Sequence, residues 1–220
     1  MKSVVRDPKT ESRASIPAPR APSREPRVES PEPRVDVVIK VGGSLLAQPE
    51  CLDRVLAIVG SASKNQRLVI VPGGGAFADA VRKADSAIRL SDGAAHWMAV
   101  LAMDQYAHLL ADRVGGGLVA TNVEEITSGL RAGRVPVLAP SRWLRDADPL
   151  PHSWDVTSDS IAAWVAGALG ARQLVLVKPT DASGSDVVDP YFSRALPQHV
   201  SSRIIAVDQS DEIRRALNAS

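Results

Sequence analysis

The chain has 220 residues, 45% of them hydrophobic, and a formal net charge of +1. That is enough for one sizeable core or two small lobes, and too balanced to be drawn as a whole toward nucleic acid or an anionic membrane. Its single cysteine, Cys51, excludes an internal disulfide and fits a reducing, cytoplasmic setting, and no apolar run reaches the ~20 residues that a spanning helix needs.

Residues 1–34 are rich in Pro, Arg, Ser and Glu, with prolines at 8, 17, 19, 22, 26, 31 and 33. Such a segment buries too little surface to offset its ordering entropy, and a disordered tail of mixed charge is expected. It has no apolar stretch after its arginines, so it does not read as a secretory signal. The next stretch, VVIKVGGSLL over 37–46, reads as a buried strand of β-branched residues that ends in Lys40 and two glycines. Gly42 and Gly43 allow a bare turn, and Ser44 adds a hydroxyl; together with Lys40 they suit a polyphosphate as well as they suit an ordinary strand-to-helix turn.

Leu52, Val55, Leu56 and Val59 recur at helical spacing, which predicts a helix over Leu52–Ser63. Leu68–Val71 is a second buried strand, stopped by Pro72, and Gly73, Gly74 and Gly75 form a second bare turn before a helix over Ala76–Lys83. Repeated strand, glycine turn and helix imply a parallel sheet with sites at the carboxyl ends of its strands. Ser91 or Asp92 caps a long helix to about Val114, and Thr121 with Glu124 forms a capping box for a helix ending at Gly133. Val135–Leu138 is the next strand, and Pro136 places it at an edge or a bulge. Residues 140–153 read as an irregular loop between two halves. The second half has a helix over Ser158–Leu169, a strand over Leu174–Val177 ending in Lys178, a strand over Ile204–Val207, and a helix over Asp211–Leu217 capped by Ser210.

Two lysines at strand ends, two glycine turns and an aspartate at a helix start suggest phosphoryl transfer, where positioning and charge neutralisation supply most of the catalysis. There is no GxxxxGK[ST], GxGxxG or GxSxG pattern, which argues against a P-loop ATPase, a dinucleotide-binding dehydrogenase and a serine hydrolase elbow. His96 and His108 have no metal-ligand spacing and read as structural or surface histidines.

The segments IKVGGSLL (39–46), VPGGGAFAD (71–79), TSDSIAA (157–163) and LVLVKPTDASG (174–184) together resemble the amino acid kinase superfamily over about residues 35–220. That resemblance implies an α/β fold, a three-layer αβα sandwich with a mainly parallel central sheet. It implies an acceptor-binding half over 35–140, a nucleotide-binding half over 154–220, ATP and Mg²⁺ as cofactors, and a homo-oligomer. It also implies catalytic roles for Lys40, Asp159 and Lys178. Phosphate or ATP contacts are implied for Gly42, Gly43, Ser44, Thr180, Asp181 and Gly184, and acceptor contacts for Gly73, Gly74, Gly75, Asp155, Thr157 and Ser158, with no protein metal ligand.

Trp154, Trp97 and His96 are candidates to line an aromatic acceptor pocket. Asp181, Ala182 and Ser183 stand where relatives carry a KVD or DVD segment, and only Gly184 of that turn remains. Within the superfamily, PGGGAFADAVR, DGAAHWMAVLAMDQYAHLL and SWDVTSDSIAAW are most similar to the small kinases of methanofuran biosynthesis, which act on [5-(aminomethyl)furan-3-yl]methyl phosphate. The alternative within the same fold is a nucleotide-binding storage protein, as for molybdenum, or a kinase for another small phosphate or carboxylate.

Overall fold

The computed structural model describes residues 34–179 and 187–218, so the tail expected over 1–34 lies, apart from Arg34, outside the described residues. Six strands run parallel in one sheet: β1 (Val37–Val41), β2 (Leu68–Pro72), β3 (Gly117–Ala120), β4 (Val135–Leu138), β5 (Gln173–Lys178) and β6 (Ser201–Ala206), in the spatial order β3-β4-β2-β1-β5-β6. The helices are α1 (Pro49–Ala62), α2 (Gly75–Ile88), α3 (Asp92–Arg113), α4 (Val123–Arg131), α5 (Ser141–Ala147), α6 (Ser158–Ala168), α7 (Phe192–Ala195) and α8 (Ser210–Asn218), with a 3₁₀ turn over Gly43–Ala47.

Strands β1 and β2 are buried at every residue because helices cover both faces of the sheet. Val37, Ile39 and Val41 join Val175 and Val177 under Leu52, Val55 and Leu56 of α1 and Ile213 and Leu217 of α8. Val38, Leu174 and Leu176 face the other way, against Val100 and Met103 of α3 and Ile161 and Val165 of α6. This is the three-layer sandwich expected from the sequence. The same two-residue alternation aims the lysines. Lys40 shares parity with Val38, and Lys178 shares it with Leu174 and Leu176, so both belong to the α6 side. The register sets Lys40 beside Leu176, which leaves Lys178 one pleat further along the neighbouring strand.

Several local expectations are corrected. Strand β4 is not at an edge: β3, which sequence reasoning missed, lies outside it. The N–H groups of Val135 and Ala139 donate to Gly116 and Ala120 beside β3, so Pro136, of opposite parity, turns its missing donor toward β2. There the pairing shrinks to the single match Ile70 with Val137, which is how an inner strand accommodates a proline. The segment 140–153 contains α5, whose first turn is held by Asp104 accepting the Ser141 N–H at 3.0 Å. Ser91, not Asp92, caps α3 by accepting the Ala94 N–H. The α4 cap sits one residue later than expected: Asn122 accepts the Glu125 N–H at 2.8 Å, and the Glu125 carboxylate takes the Thr121 N–H at 2.7 Å.

At the amino end of the sheet, Asp36 accepts the Arg67 N–H at 2.9 Å, Arg67 Nε at 3.1 Å and Arg172 Nη2 at 3.2 Å, tying the starts of β1, β2 and β5. Burial pushes this carboxyl up, but the Arg67 hydrogen bonds and the two guanidinium charges outweigh it and hold it below the ordinary carboxylate range. A lowered folded-state pKa means that the contribution is present above the unfolded-state pKa and is lost as pH falls through the folded value. Asp36→Asn is expected to cost about 1–2 kcal/mol in urea unfolding at neutral pH, the half-exposed arginines being screened. The gap to the native chain should narrow as the medium is acidified below the ordinary aspartate value of about 3.9.

Candidate active site

The site forms where β1 and β2 end. Lys40 leaves β1 only 5% exposed, and its Nζ lies 2.9 Å from Oδ1 of Asp159. Lys178, at the end of β5, donates from Nζ to Oδ2 of the same carboxylate at 2.5 Å. One buried carboxylate on the first turn of α6 therefore holds two ammonium groups from separate strands, and the triad keeps one positive charge in excess. Burial pushes Asp159 up, but Lys40 and Lys178 outweigh it and keep the carboxyl below its ordinary range. Burial dominates for Lys40 and the Lys178 charge adds to it, so its pKa is lowered even though Asp159 pulls it up.

The two glycine turns touch backbone to backbone. A Cβ on Gly43 would stand 2.0 Å from the Gly75 nitrogen, and one on Gly73 would stand 2.5 Å from the Gly43 nitrogen. Gly75 adopts φ +53°, a conformation that side-chain-bearing residues rarely take. The first need for glycine here is the packing of one turn on the other. The Lys40 ammonium lies close by, 3.9 Å from where a Gly42 Cβ would be.

Beyond the turns opens a cavity of about 210 Å³, lined among others by Gly43, Ser44, Gly74, Gly75, Thr157 and Ser158. Helices α2, α3 and α6 all begin at its wall, which brings their amino-terminal dipole ends to it. Its lining combines apolar Ala99, Val100, Met103 and Ile161 with Asp79, Arg82, Asp92, His96 and Trp154, and Asp79 is paired with Arg82 at 2.9 Å. The Arg82 guanidinium lies 4.9 Å from the Trp154 ring centre, and Trp154 Nε1 donates to Asp85 at 2.8 Å, which fastens the 153–157 segment to α2. Burial, and then the neighbouring His152, push the His96 imidazole down to about 4, so it is neutral at physiological pH.

Lys40, Asp159 and Lys178 thus meet with Gly42 beside the Lys40 ammonium, Gly73 packs on Gly43, and Gly43, Ser44, Gly74, Gly75, Thr157 and Ser158 line the cavity. Asp155 is exposed and lies outside the cavity lining, as does Trp97, which packs beside His152 under Arg145. Thr180, Asp181 and Gly184 fall outside the described residues. Sequence reasoning missed Tyr106, whose buried hydroxyl donates to the Gly42 carbonyl at 3.4 Å, and also Asp79, Arg82 and Asp92. A tyrosine on the apolar face of a long helix gives no sign of its hydroxyl's partner, whereas the helical spacing of Asp79 and Arg82 does place them on one face.

Gly43→Ala is expected to push the turns apart at a cost of about 1–3 kcal/mol. It should also lower affinity for an ATP analogue at least about tenfold. Gly115→Ala, where nothing lies within 4 Å, should do neither. Thermal unfolding and calorimetric titration read both effects.

Comparison with known proteins agrees with this geometry. The amino acid kinase family profile matches residues 37–182. A [5-(aminomethyl)furan-3-yl]methyl phosphate kinase from Methanocaldococcus jannaschii is 30% identical over 144 residues, covering 66% of this chain and 66% of that protein. An acetylglutamate kinase from Symbiobacterium thermophilum is 32% identical over 91 residues, covering 40% of this chain and 30% of that protein. Among solved structures, a uridylate kinase from Archaeoglobus fulgidus superposes with a TM-score of 0.65 at 16% identity, over 84% of this chain and 97% of that one. A UMP kinase from Ureaplasma parvum gives 0.63 at 16% identity, over 80% and 91%. At that identity the likeness to both structures is one of fold. The sequence segments, the parallel sheet and the matched profile together place this chain in the amino acid kinase family.

Proposed function

We propose that the protein is an ATP-dependent kinase that transfers the γ-phosphoryl group to a small phosphomonoester, giving a diphosphate, with [5-(aminomethyl)furan-3-yl]methyl phosphate as acceptor in methanofuran-type C1 cofactor synthesis. The observation that carries this reading is the meeting of Lys40 and Lys178 on the one buried Asp159 carboxylate, beside two interlocked glycine turns. The acceptor is supported by the Methanocaldococcus jannaschii relative, which carries that name.

A phosphate oxygen is already an anion and needs no strong base. It forms the new bond to the γ phosphorus while the bond from that phosphorus to the bridging oxygen breaks, and ADP leaves with that electron pair. The barrier is largely repulsion between two anions: at ~4 Å like charges cost about 1 kcal/mol in water and several times more in a partly dry site. In this reading Lys40 and Lys178 offset that charge, while Asp159 keeps both ammoniums aimed at the gap. Mg²⁺, which the kinase reading brings with ATP, would neutralise phosphate charge beside this carboxylate. Residues 35–140 serve the acceptor and 154–220 the nucleotide. The furan ring would lie against the apolar lining and Trp154, with its ammonium near Asp92, since Asp79 is already paired with Arg82 and the neutral His96 adds no opposing charge. Exposed Ile88, Met98 and Leu101 on α2 and α3 support a homo-oligomer.

ADP release measured across a panel of acceptors tests the reading. The furan phosphate should stimulate it at least about tenfold more than UMP or acetylglutamate, the difference expected when buried polar groups lose their partner. Stimulation by none of them would instead favour a nucleotide-binding storage role. Lys40→Met should lower kcat about 10²–10³-fold with the fold retained. Because the Lys40 pKa is lowered in the free protein, kcat/KM should fall on the alkaline side, at a pH below the ordinary lysine value of about 10.4.

A further inference from the structure

We propose that Asp189 is a positioning residue that sets the geometry of the lysine pair through the first turn of α6, an assignment that rests on the kinase reading above. Helix α6 begins at Thr157, whose side chain does not cap its own helix. The cap comes from outside the helix. Asp189, only 9% exposed, accepts the Thr157 N–H at 2.9 Å, the Thr157 hydroxyl at 2.7 Å and the Ser160 N–H at 3.0 Å with one oxygen, and the Ser160 hydroxyl with the other. Two of the helix's otherwise unpaired N–H groups and two hydroxyls thus converge on a single buried carboxylate.

Asp159 lies between these two anchors. Its backbone is gripped on both sides, so the direction in which its carboxylate projects is fixed from beneath, while its oxygens receive Lys40 and Lys178 from above. The stretch that leaves β5 at Lys178 returns at Asp189, and both of its ends are fastened to the same helical turn. Two further bonds hold the returning end: Phe192 N–H donates to the Asp189 carbonyl at 3.1 Å and Tyr191 N–H to the Asp155 carbonyl at 3.2 Å. A cap built from Thr157 alone would satisfy α6 without this link. The clamp ties Asp189 to the aim of Asp159.

Substitution separates positioning from charge. Asparagine keeps an oxygen for the three bonds to Thr157 and Ser160, and its amide can donate to the Ser160 hydroxyl, which accepts as readily as it donates. Alanine removes all four contacts. In Asp189→Ala, kcat should fall about 10–100-fold with KM for ATP and acceptor nearly unchanged, as when a group that orients a reacting residue is lost. Asp189→Asn should restore most of it, and Ser160→Ala, a milder variant that loses one contact, should fall between.

A second readout does not depend on turnover: the rate at which a small amine-acylating reagent labels Lys40 and Lys178, read by peptide mass spectrometry. Both lysines should be labelled several-fold faster in Asp189→Ala than in the native chain, with Asp189→Asn at the native rate. Unchanged labelling in folded Asp189→Ala, or a loss in Asp189→Asn equal to that in Asp189→Ala, would overturn the proposal. If the native protein turned over no acceptor, the kinase reading would fail while the labelling rates still decided whether Asp189 aims the pair.

Discussion

The structure depends on one buried carboxylate shared by two ammonium groups. Taking three charges out of water is costly, and a buried ion pair seldom stabilises a fold more than apolar residues of the same volume would. The Lys40 ammonium is held against that cost, as its lowered pKa records. Asp159 is what makes the arrangement tolerable: without it, two like charges would face each other in a site that strands and helices have largely closed to solvent. An excess positive charge, buried at the ends of β1 and β5 beside the glycine turns, suits the binding of an anion such as phosphate.

The surroundings follow from the same constraint. An anion entering this gap must be met by donors that need no rearrangement, and a strand followed by a glycine turn and a helix provides them, as β2 and α2 do. Helices α3 and α6 also start at the wall of the cavity. The glycines permit two of these turns to sit in direct contact, so the strand ends, the lysines and the helix starts are locked into one unit.

Much of this was legible in the sequence, for physical reasons. Continuous apolar runs at 37–39 and 68–71 have no polar face and belong in a sheet covered on both sides, as found. Parity alone puts Lys40 and Lys178 on the same face once their strands are neighbours. Other features depend on contacts that no local pattern carries. The four-residue β3 is too short for a periodic signal, and Pro136 pointed to an edge because a proline marks the loss of a donor without saying which neighbour loses it. The α4 cap slipped by one residue because Thr121, Asn122, Glu124 and Glu125 offer two overlapping boxes. That the Asp189 carboxylate reaches back to Thr157 and Ser160 is a long-range fact. The segment holding Thr180, Asp181 and Gly184 lies outside the described residues, and the expectations placed there stand as proposals.

The most direct test of the central claim is a crystal structure of the protein with a non-hydrolysable ATP analogue and the furan phosphate. The account predicts that the Nζ atoms of Lys40 and Lys178 both lie within hydrogen-bond distance of phosphate oxygens flanking the γ phosphorus, with Asp159 still joined to both. A nucleotide bound elsewhere, or phosphates that reach neither ammonium, would contradict it.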